Sequence, residues 1–185
     1  MTNKNFKDIS YLKVGNEKQR RSYEILKNIN IFNILKDYNP LLVGTIPIEV
    51  DIDSSDLDLI CKVDNKEKFE NILRNEFSKF KNFNIKYHED RIIICNFIVD
   101  NIEIEIYASN IDSEKSNGYR HMLIEYRLLN LYGEGFKKEI IKLKKSGLKT
   151  EPAFAKLLNL TGNPYDKLLA LEHLSNDQLI KIYSK

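Results

Sequence analysis

Two aspartates one residue apart are the residues in this chain whose type and spacing best suit metal chemistry. Asp56 immediately precedes an apolar run and Asp58 lies within it. Because alternate residues of a strand point to the same face, the two carboxylates would project together. The stretch from Ile46 to Ile60 has no lysine or arginine and holds five acids: Glu49, Asp51, Asp53, Asp56 and Asp58. Neighbouring carboxylates repel unless a cation lies between them, and oxygen donors select Mg²⁺ or Mn²⁺. The pattern predicts a site for a hard divalent cation.

A glycine followed by a hydroxyl residue comes before these acids. Gly44 lets the backbone approach a ligand closely, and exposed N–H groups with the Thr45 hydroxyl can bond phosphate oxygens. Two other interpretations of the acidic stretch stay open. In the first, Asp56 and Asp58 belong to a solvated strand face and bind no metal. In the second, the metal is held by Asp51 and Asp53, which have the same spacing.

A third candidate element is the alternating run Ile102–Tyr107. Its isoleucines face the core, so Glu103 and Glu105 turn to the opposite face. If this strand lies beside the strand Asp56–Val63, one glutamate completes a cluster of three carboxylates. The alternative is that both glutamates belong to the wet face of an antiparallel sheet.

The elements that must position these residues follow from hydrophobic periodicity. Two amphipathic helices are predicted, at Glu17–Asp37 and Lys66–Phe80, and Asn39-Pro40 ends the first. Strands are predicted at Leu41–Val43, Asp56–Val63, Phe83–His88, Arg91–Val99 and Ile102–Tyr107, with a loop at Ile46–Ser55. The two-residue breaks Glu89-Asp90 and Asp100-Asn101 suit tight hairpins.

The remainder of the chain is predicted to be helical. Helices are expected at Gly118–Leu131 and Glu134–Lys145, then after Thr150 as an N-cap, after Asn163-Pro164, and from a Ser175 cap to Tyr183. The fold class is therefore α/β (α+β), a mixed sheet followed by a C-terminal helical region. We expect a domain over residues 1–110 and a helical region over 111–185 packed on it.

Composition excludes several classes of protein. Among 185 residues there are 29 Lys plus Arg and 27 Asp plus Glu, a net charge of +2, which does not suggest a general nucleic-acid coat protein. Cys61 and Cys95 lie in apolar runs and are expected to be reduced strand residues. No apolar run is long enough to span a membrane and no secretory signal is visible, so we expect a cytoplasmic protein without a membrane partner.

Four blocks in order resemble a known superfamily: Leu42–Pro47, Ser55–Asp58, Tyr119–Met122 and Leu148–Phe154. An apolar strand, Gly-Ser or Gly-Thr, and then Asp-x-Asp are typical of the DNA polymerase beta-like nucleotidyltransferases. All four blocks together resemble one uncharacterised bacterial family within that superfamily, known only as a domain of unknown function. The resemblance runs from about Asn28 to Leu171.

The resemblance implies a polymerase-beta-like core and a role for each matched residue. Asp56, Asp58 and Glu105 would be catalytic metal ligands for Mg²⁺ or Mn²⁺. Gly44, Thr45, Ser55 and Arg120 would bind the nucleotide. Glu105 stands where the superfamily commonly has Asp, which moves the charge outward by one methylene. An alternative for Arg120 is an exposed position, beside a His121 that pairs with Glu125.

The implied reaction is transfer of a nucleoside monophosphate from an NTP, with ATP expected, to an acceptor hydroxyl. The acceptor is a small molecule, an RNA or a protein. Two alternatives stay open. In the first, the protein has lost catalysis and binds nucleotide or RNA, or acts as an antitoxin-like partner. In the second, it is a pyrophosphoryl transferase of the same superfamily. The lysines at 137, 138, 142, 144, 145 and 149 are expected to form a basic, solvated helix face, and the alternative is a surface for RNA or an anionic acceptor.

Overall fold

The computed structural model describes residues 4–88 and 92–183. Its helices are α1 Glu17–Asn28, α2 Ile31–Ile34, α3 Lys66–Phe77, α4 Asn117–Lys145, α5 Thr150–Leu157, α6 Pro164–Ala170 and α7 Asn176–Tyr183. Its strands are β1 Leu41–Val43, β2 Leu57–Lys62, β3 Lys81–His88, β4 Ile92–Val99 and β5 Ile102–Ser109. The predicted order of helix, sheet and helical region is confirmed.

The five strands form one mixed sheet in the order β1-β2-β5-β4-β3. Strands β2 and β5 are parallel, whereas the other neighbouring pairs are antiparallel. The register places Asp58 opposite Val43 on one side and opposite Glu105 on the other. The expectation that the strand bearing Glu105 lies beside the strand bearing Asp58 is therefore correct.

The hairpin between β4 and β5 turns at the predicted dipeptide. Asp100 and Asn101 both have positive φ, 50° and 63°, as a two-residue turn of the primed type requires. The other predicted turn, Glu89-Asp90, lies outside the described residues.

The first helix differs from the prediction of one element over Glu17–Asp37. Helix α1 ends at Asn28, and Asn30 has a left-handed φ of 56° before the single turn of α2. Asparagine tolerates this conformation better than other residues with a side chain, because its short polar side chain can hydrogen-bond to the nearby backbone. The apolar spacing continues across the break, so periodicity alone did not reveal it.

Two apolar clusters lie on opposite faces of the sheet. One packs α1 and α3 against sheet residues such as Leu57 and Ile104. The other packs α4 to α7 against Leu41, Val43 and Ile60. The helical region thus shares its core with the sheet, and the predicted division at residue 110 stays a prediction.

Helix α4 is interrupted where the two predicted helices were expected to separate. Gly133 has φ 77° and ψ −168°, a region almost restricted to glycine, so the 29-residue element is two helices joined at this break. No helix in the described ranges combines the length and apolar character needed to cross a bilayer.

The helix caps of the C-terminal region are partly as predicted. Asn163 caps α6 and Ser175 accepts a hydrogen bond from the Gln178 N–H, both as expected. Thr150 as an N-cap is wrong: it is the first residue of α5, and Lys149 occupies the cap position without a side-chain hydrogen bond. Pro152 is the third residue of α5, in the first turn, where the N–H that proline lacks has no partner within the helix.

Candidate active site

A cavity of about 660 Å³ opens between the sheet and the helical region. Its sheet wall contains Gly44, Thr45, Ser55, Asp56, Asp58 and Glu105, which are the sequence-predicted site residues apart from Arg120. Strands β1, β2 and β5 are neighbours, so their polar side chains on this face converge. Asp51 and Asp53, the alternative pair, are not part of the described lining.

The carboxylates of this wall repel one another. The pKa of Asp58 is raised to about 7, first by burial and then by the negative charges of Asp56 and Glu105. The pair Asp58 and Glu105 occupies directly opposed positions of parallel strands, which brings both to the same face. The cavity therefore holds excess negative charge at the position where a cation was predicted.

Of the two alternating glutamates, Glu105 lines the cavity and Glu103 is exposed. Asn96 lies opposite Glu105 on β4, and its Nδ2 donates to Glu105 Oε2 and to Glu103 Oε1, both at 3.2 Å. This contact orients the Glu105 carboxylate. Sequence reasoning missed Asn96 because its role depends on the register between β4 and β5.

Gly44 follows β1 with a φ of 80°, which L-residues rarely adopt. A Cβ on this residue would overlap Oδ2 of Asp58. Glycine is thus required both by the turn and by the close approach of the carboxylate.

The predicted loop at Ile46–Ser55 is confirmed, and its two ends meet. The Thr45 hydroxyl lies 3.2 Å from Ser55 Oγ, which also accepts the Ile52 N–H at 2.9 Å. The Val50 N–H donates to the Thr45 carbonyl at 3.1 Å. These bonds hold both hydroxyls at the cavity edge beside Asp56.

The helical wall carries charged residues that sequence reasoning missed. Lys144 is 6% exposed and lines the cavity, so its assignment to a solvated face is wrong. Burial lowers the pKa of Lys144 to about 8 against the attraction of nearby acids, Glu125 and Asp51 foremost and Asp56 among them. The available signal was its spacing, because Lys144 continues the buried stripe of Phe136 and Ile140 at four-residue steps.

Glu125 is a second buried charge on this wall. It is 3% exposed, and its Oε1 has no hydrogen-bond partner within the described part of the chain. Burial raises the pKa of Glu125 well above its ordinary value, and Glu151 adds to the shift. In a straight helix residues 125 and 144 would be about 28 Å apart, so the break at Gly133 is what brings both to one cavity.

Arg120 is not brought to the carboxylates. Its guanidinium forms a two-point ion pair with Glu172, outside the described cavity lining, and its side chain is partly buried rather than exposed as the alternative had it. His121 does line the cavity; its Nδ1 lies 3.9 Å from Glu151 Oε1 rather than beside Glu125, and its Nε2 lies 3.0 Å from the Tyr165 carbonyl.

The carboxylate oxygens are the type of ligand that a hard divalent cation prefers. They are not, however, arranged around a single ion position. Within residues 4–88 and 92–183, no three His, Cys, Asp or Glu side chains are arranged as a metal site. Asp56, Asp58 and Glu105 offer only carboxylate oxygens, and their mutual repulsion would be relieved by a cation. The side chains must turn toward one another to share an ion.

The fold is that of the polymerase-beta-like nucleotidyltransferase core. Cid1, described as an RNA terminal uridylyl transferase, matches with a TM-score of 0.57 at 14% identity, over 83% of this chain and 48% of that chain. A chain of the GLD-2/RNP-8 complex matches with a TM-score of 0.56 at 13% identity, over 95% of this chain and 81% of that one. The chain spans about half the length of the Cid1 chain, and at these identities the likeness concerns the fold alone.

Sequence defines the family more narrowly. Residues 24–171 match a domain of unknown function, DUF4269, and the chain belongs to that family. No curated protein matches the chain in sequence.

Proposed function

We propose that this protein is a metal-dependent nucleotidyltransferase that moves a nucleoside monophosphate from an NTP, with ATP expected, to an acceptor hydroxyl. The observation that carries the proposal is the meeting of Gly44, Asp58 and Glu105 in one cavity of this fold. The distant fold likeness supports the class of reaction, and the acceptor remains a small molecule, an RNA or a protein.

Asp56, Asp58 and Glu105 would hold Mg²⁺ or Mn²⁺. When bound, such an ion neutralises phosphate charge and acidifies a hydroxyl. Burial and, after it, repulsion from Asp56 and Glu105 raise the pKa of Asp58, and this repulsion gives the three carboxylates a physical reason to bind a cation.

The phosphates would be held by the residues at the cavity edge. The backbone at Gly44 and the hydroxyls of Thr45 and Ser55 can donate to phosphate oxygens. Lys144 and Lys149 supply positive charge from the opposite wall of the same cavity. Arg120 would have to release Glu172 before it could contact a nucleotide.

The transfer itself requires one bond to form and one to break. The acceptor oxygen attacks the α-phosphorus, the bond from that phosphorus to the bridging oxygen of the β-phosphate breaks, and pyrophosphate leaves. Glu105, which Asn96 orients, would accept the hydroxyl proton. Most of the rate enhancement would come from positioning and electrostatics.

One observation favours a second function, metal-indifferent nucleotide binding without chemistry. Lys144 already lies near enough to Asp56 and Asp58 to offset part of their charge. A lysine in this position supplies positive charge for a nucleotide without any metal ion. A degenerate nucleotide- or RNA-binding member of the superfamily, or an antitoxin-like partner, would need such a charge.

Calorimetry of ATP binding with and without Mg²⁺ separates these functions. We expect wild-type protein to need the ion, Asp58→Asn to lose the Mg²⁺-dependent binding, and Asp64→Asn to behave as wild type, because Asp64 is exposed just beyond β2. Equal affinity with and without Mg²⁺ would contradict the enzyme and favour the binding protein.

The reaction class is tested with α- and γ-labelled ATP in cell extract. Transfer of the α-label alone supports nucleotidyl transfer, and transfer of the γ-label supports pyrophosphoryl transfer. Label that appears equally with wild type and with Asp56→Ala plus Asp58→Ala would contradict the assigned site.

A further inference from the structure

The main chain of the loop at Ile46–Ser55 is held by side chains that precede the family domain. The family match begins at residue 24, and three earlier residues donate to carbonyls of this loop. Lys18 Nζ donates to Ile52 O at 2.6 Å and to Asp53 O at 3.2 Å. Gln19 Nε2 donates to Ile46 O at 2.8 Å, and Lys4 Nζ donates to Pro47 O at 3.2 Å.

Gln19 is the most rigidly fixed of these donors. It is fully buried, and its Oε1 accepts the Asn16 N–H at 3.0 Å while its own N–H donates to Asn16 Oδ1 at 2.8 Å. This capping box at the start of α1 fixes the amide, so Nε2 points at the loop. Gly15 makes room for it, because a Cβ there would overlap Gln19 Oε1.

Lys18 donates hydrogen bonds to the part of the loop that reaches the cavity. Ile52 and Ser54 line the cavity, and the two carbonyls that Lys18 contacts belong to Ile52 and Asp53. The Ile52 N–H in turn donates to Ser55 Oγ. A displacement of this peptide would therefore move Ser55 and the adjacent Asp56.

The loop needs external support because part of its backbone is strained. Glu49 has a left-handed φ of 63°, unfavourable for a residue with a side chain. Its carboxylate is held from two sides, by Lys4 at 3.4 Å and by Lys137 of α4 at 2.8 Å. The N-terminal segment and the helical region thus hold the loop between them.

We infer that Lys18 and Gln19 are positioning residues that set the loop at Ile46–Ser55, and through it Thr45, Ser55 and Asp56, for nucleotide binding. The nucleotide part rests on the proposed function, whereas the positioning of the loop does not. Neither residue touches the cavity; both act through main-chain carbonyls.

Hydrogen exchange resolved by residue tests the positioning without any nucleotide. The Val50, Ile52 and Ser55 amides are bonded within the loop. In Lys18→Met, which keeps the aliphatic length, we expect exchange at Ile52 and Ser55 about tenfold faster, with β2 and β5 unchanged. Lys18→Arg should restore protection, and Lys27→Met, an exposed lysine of the same helix, should match wild type.

Gln19→Glu provides a second variant with the helix cap retained. At a pH at which the new side chain is ionised, its carboxylate still accepts the Asn16 N–H, but the donor to Ile46 O is lost. Unchanged loop exchange in both variants, or uniformly faster exchange throughout the chain, would overturn the inference.

Calorimetry with ATP and Mg²⁺ tests the nucleotide part. We expect Lys18→Met to lower the affinity about tenfold and Lys18→Arg to recover it. Faster loop exchange with unchanged affinity would overturn the link to nucleotide binding. Wild-type protein that binds no ATP would contradict the proposed function and leave the positioning role intact, because the exchange experiment contains no nucleotide.

Discussion

Gly44 lies directly against the carboxylate of Asp58, where the end of β1 meets β2. Residue 44 has a φ of 80°, and a Cβ on it would overlap the Asp58 carboxylate. The sheet register explains this closeness, because Val43, the residue before Gly44, lies opposite Asp58. The proposed phosphate-binding turn and the proposed metal ligand are therefore one structural unit.

Gly44→Ala should lower the free energy of unfolding by about 2 kcal/mol or more. The loss has two causes, the left-handed backbone conformation at residue 44 and the overlap of the new Cβ with the Asp58 carboxylate. In an Asp58→Ala background the overlap is gone, and the same change should cost only about 1 kcal/mol. Urea denaturation of the four proteins of this double-mutant cycle measures the difference. Equal costs in both backgrounds would show that the two residues do not compete for space.

Gly133→Ala should destabilise the protein by about 1–3 kcal/mol although a Cβ there meets no described atom within 4 Å. The cost arises from the backbone, whose φ of 77° breaks α4. Gly135→Ala is the matched control: it is also free of contacts, but it lies in ordinary helix and should gain up to about 1 kcal/mol. Thermal denaturation of the two variants should give shifts of opposite sign.

The contribution of Asp58 to stability should fall as pH rises from about 4 to about 7. The pKa of Asp58 is raised from 3.8 to about 7, so in this window the folded protein keeps a proton that the unfolded chain releases. At about 1.4 kcal/mol per unit, the effect is on the order of a few kcal/mol. Asp58→Asn should flatten the profile.

The profile should keep some slope in that variant, because the pKa of Glu125 is also raised and acts in the same direction. Free energies of unfolding in urea at a series of pH values give the comparison. An Asp58→Asn profile as steep as that of wild type would show that Asp58 does not titrate in this range.

Arg120→Gln should lower thermal stability and leave ATP affinity unchanged. The guanidinium pairs with Glu172, and this hydrogen-bonded pair raises the pKa of Arg120 and lowers that of Glu172. Glu172→Gln should give a similar loss, and the double variant should lose little more, since either change breaks the pair. A fall in ATP affinity in Arg120→Gln alone would support the nucleotide-binding role that the sequence resemblance implied.

The errors in the sequence-based prediction have different causes. The break at Asn30 was missed because apolar spacing continues through it, and Lys144 was grouped with the neighbouring lysines although its spacing continues the buried stripe of Phe136 and Ile140. Arg120 and Glu172 are 52 residues apart in sequence, so nothing local linked them. The position of Arg120 therefore depends on packing between distant parts of the chain.

Local rules were enough for the sheet wall of the site. The two-residue period of strands placed Asp58 and Glu105 on a polar face, and the Gly-Thr pair marked the end of β1. Only the tertiary structure decided that Asn96 orients Glu105, that Lys144 and Glu125 enter the same cavity across the break at Gly133, and that α1 holds the loop. Hydrophobic periodicity indicates on which face of a strand or helix a residue lies. Which residue it contacts there depends on how separate elements pack against one another.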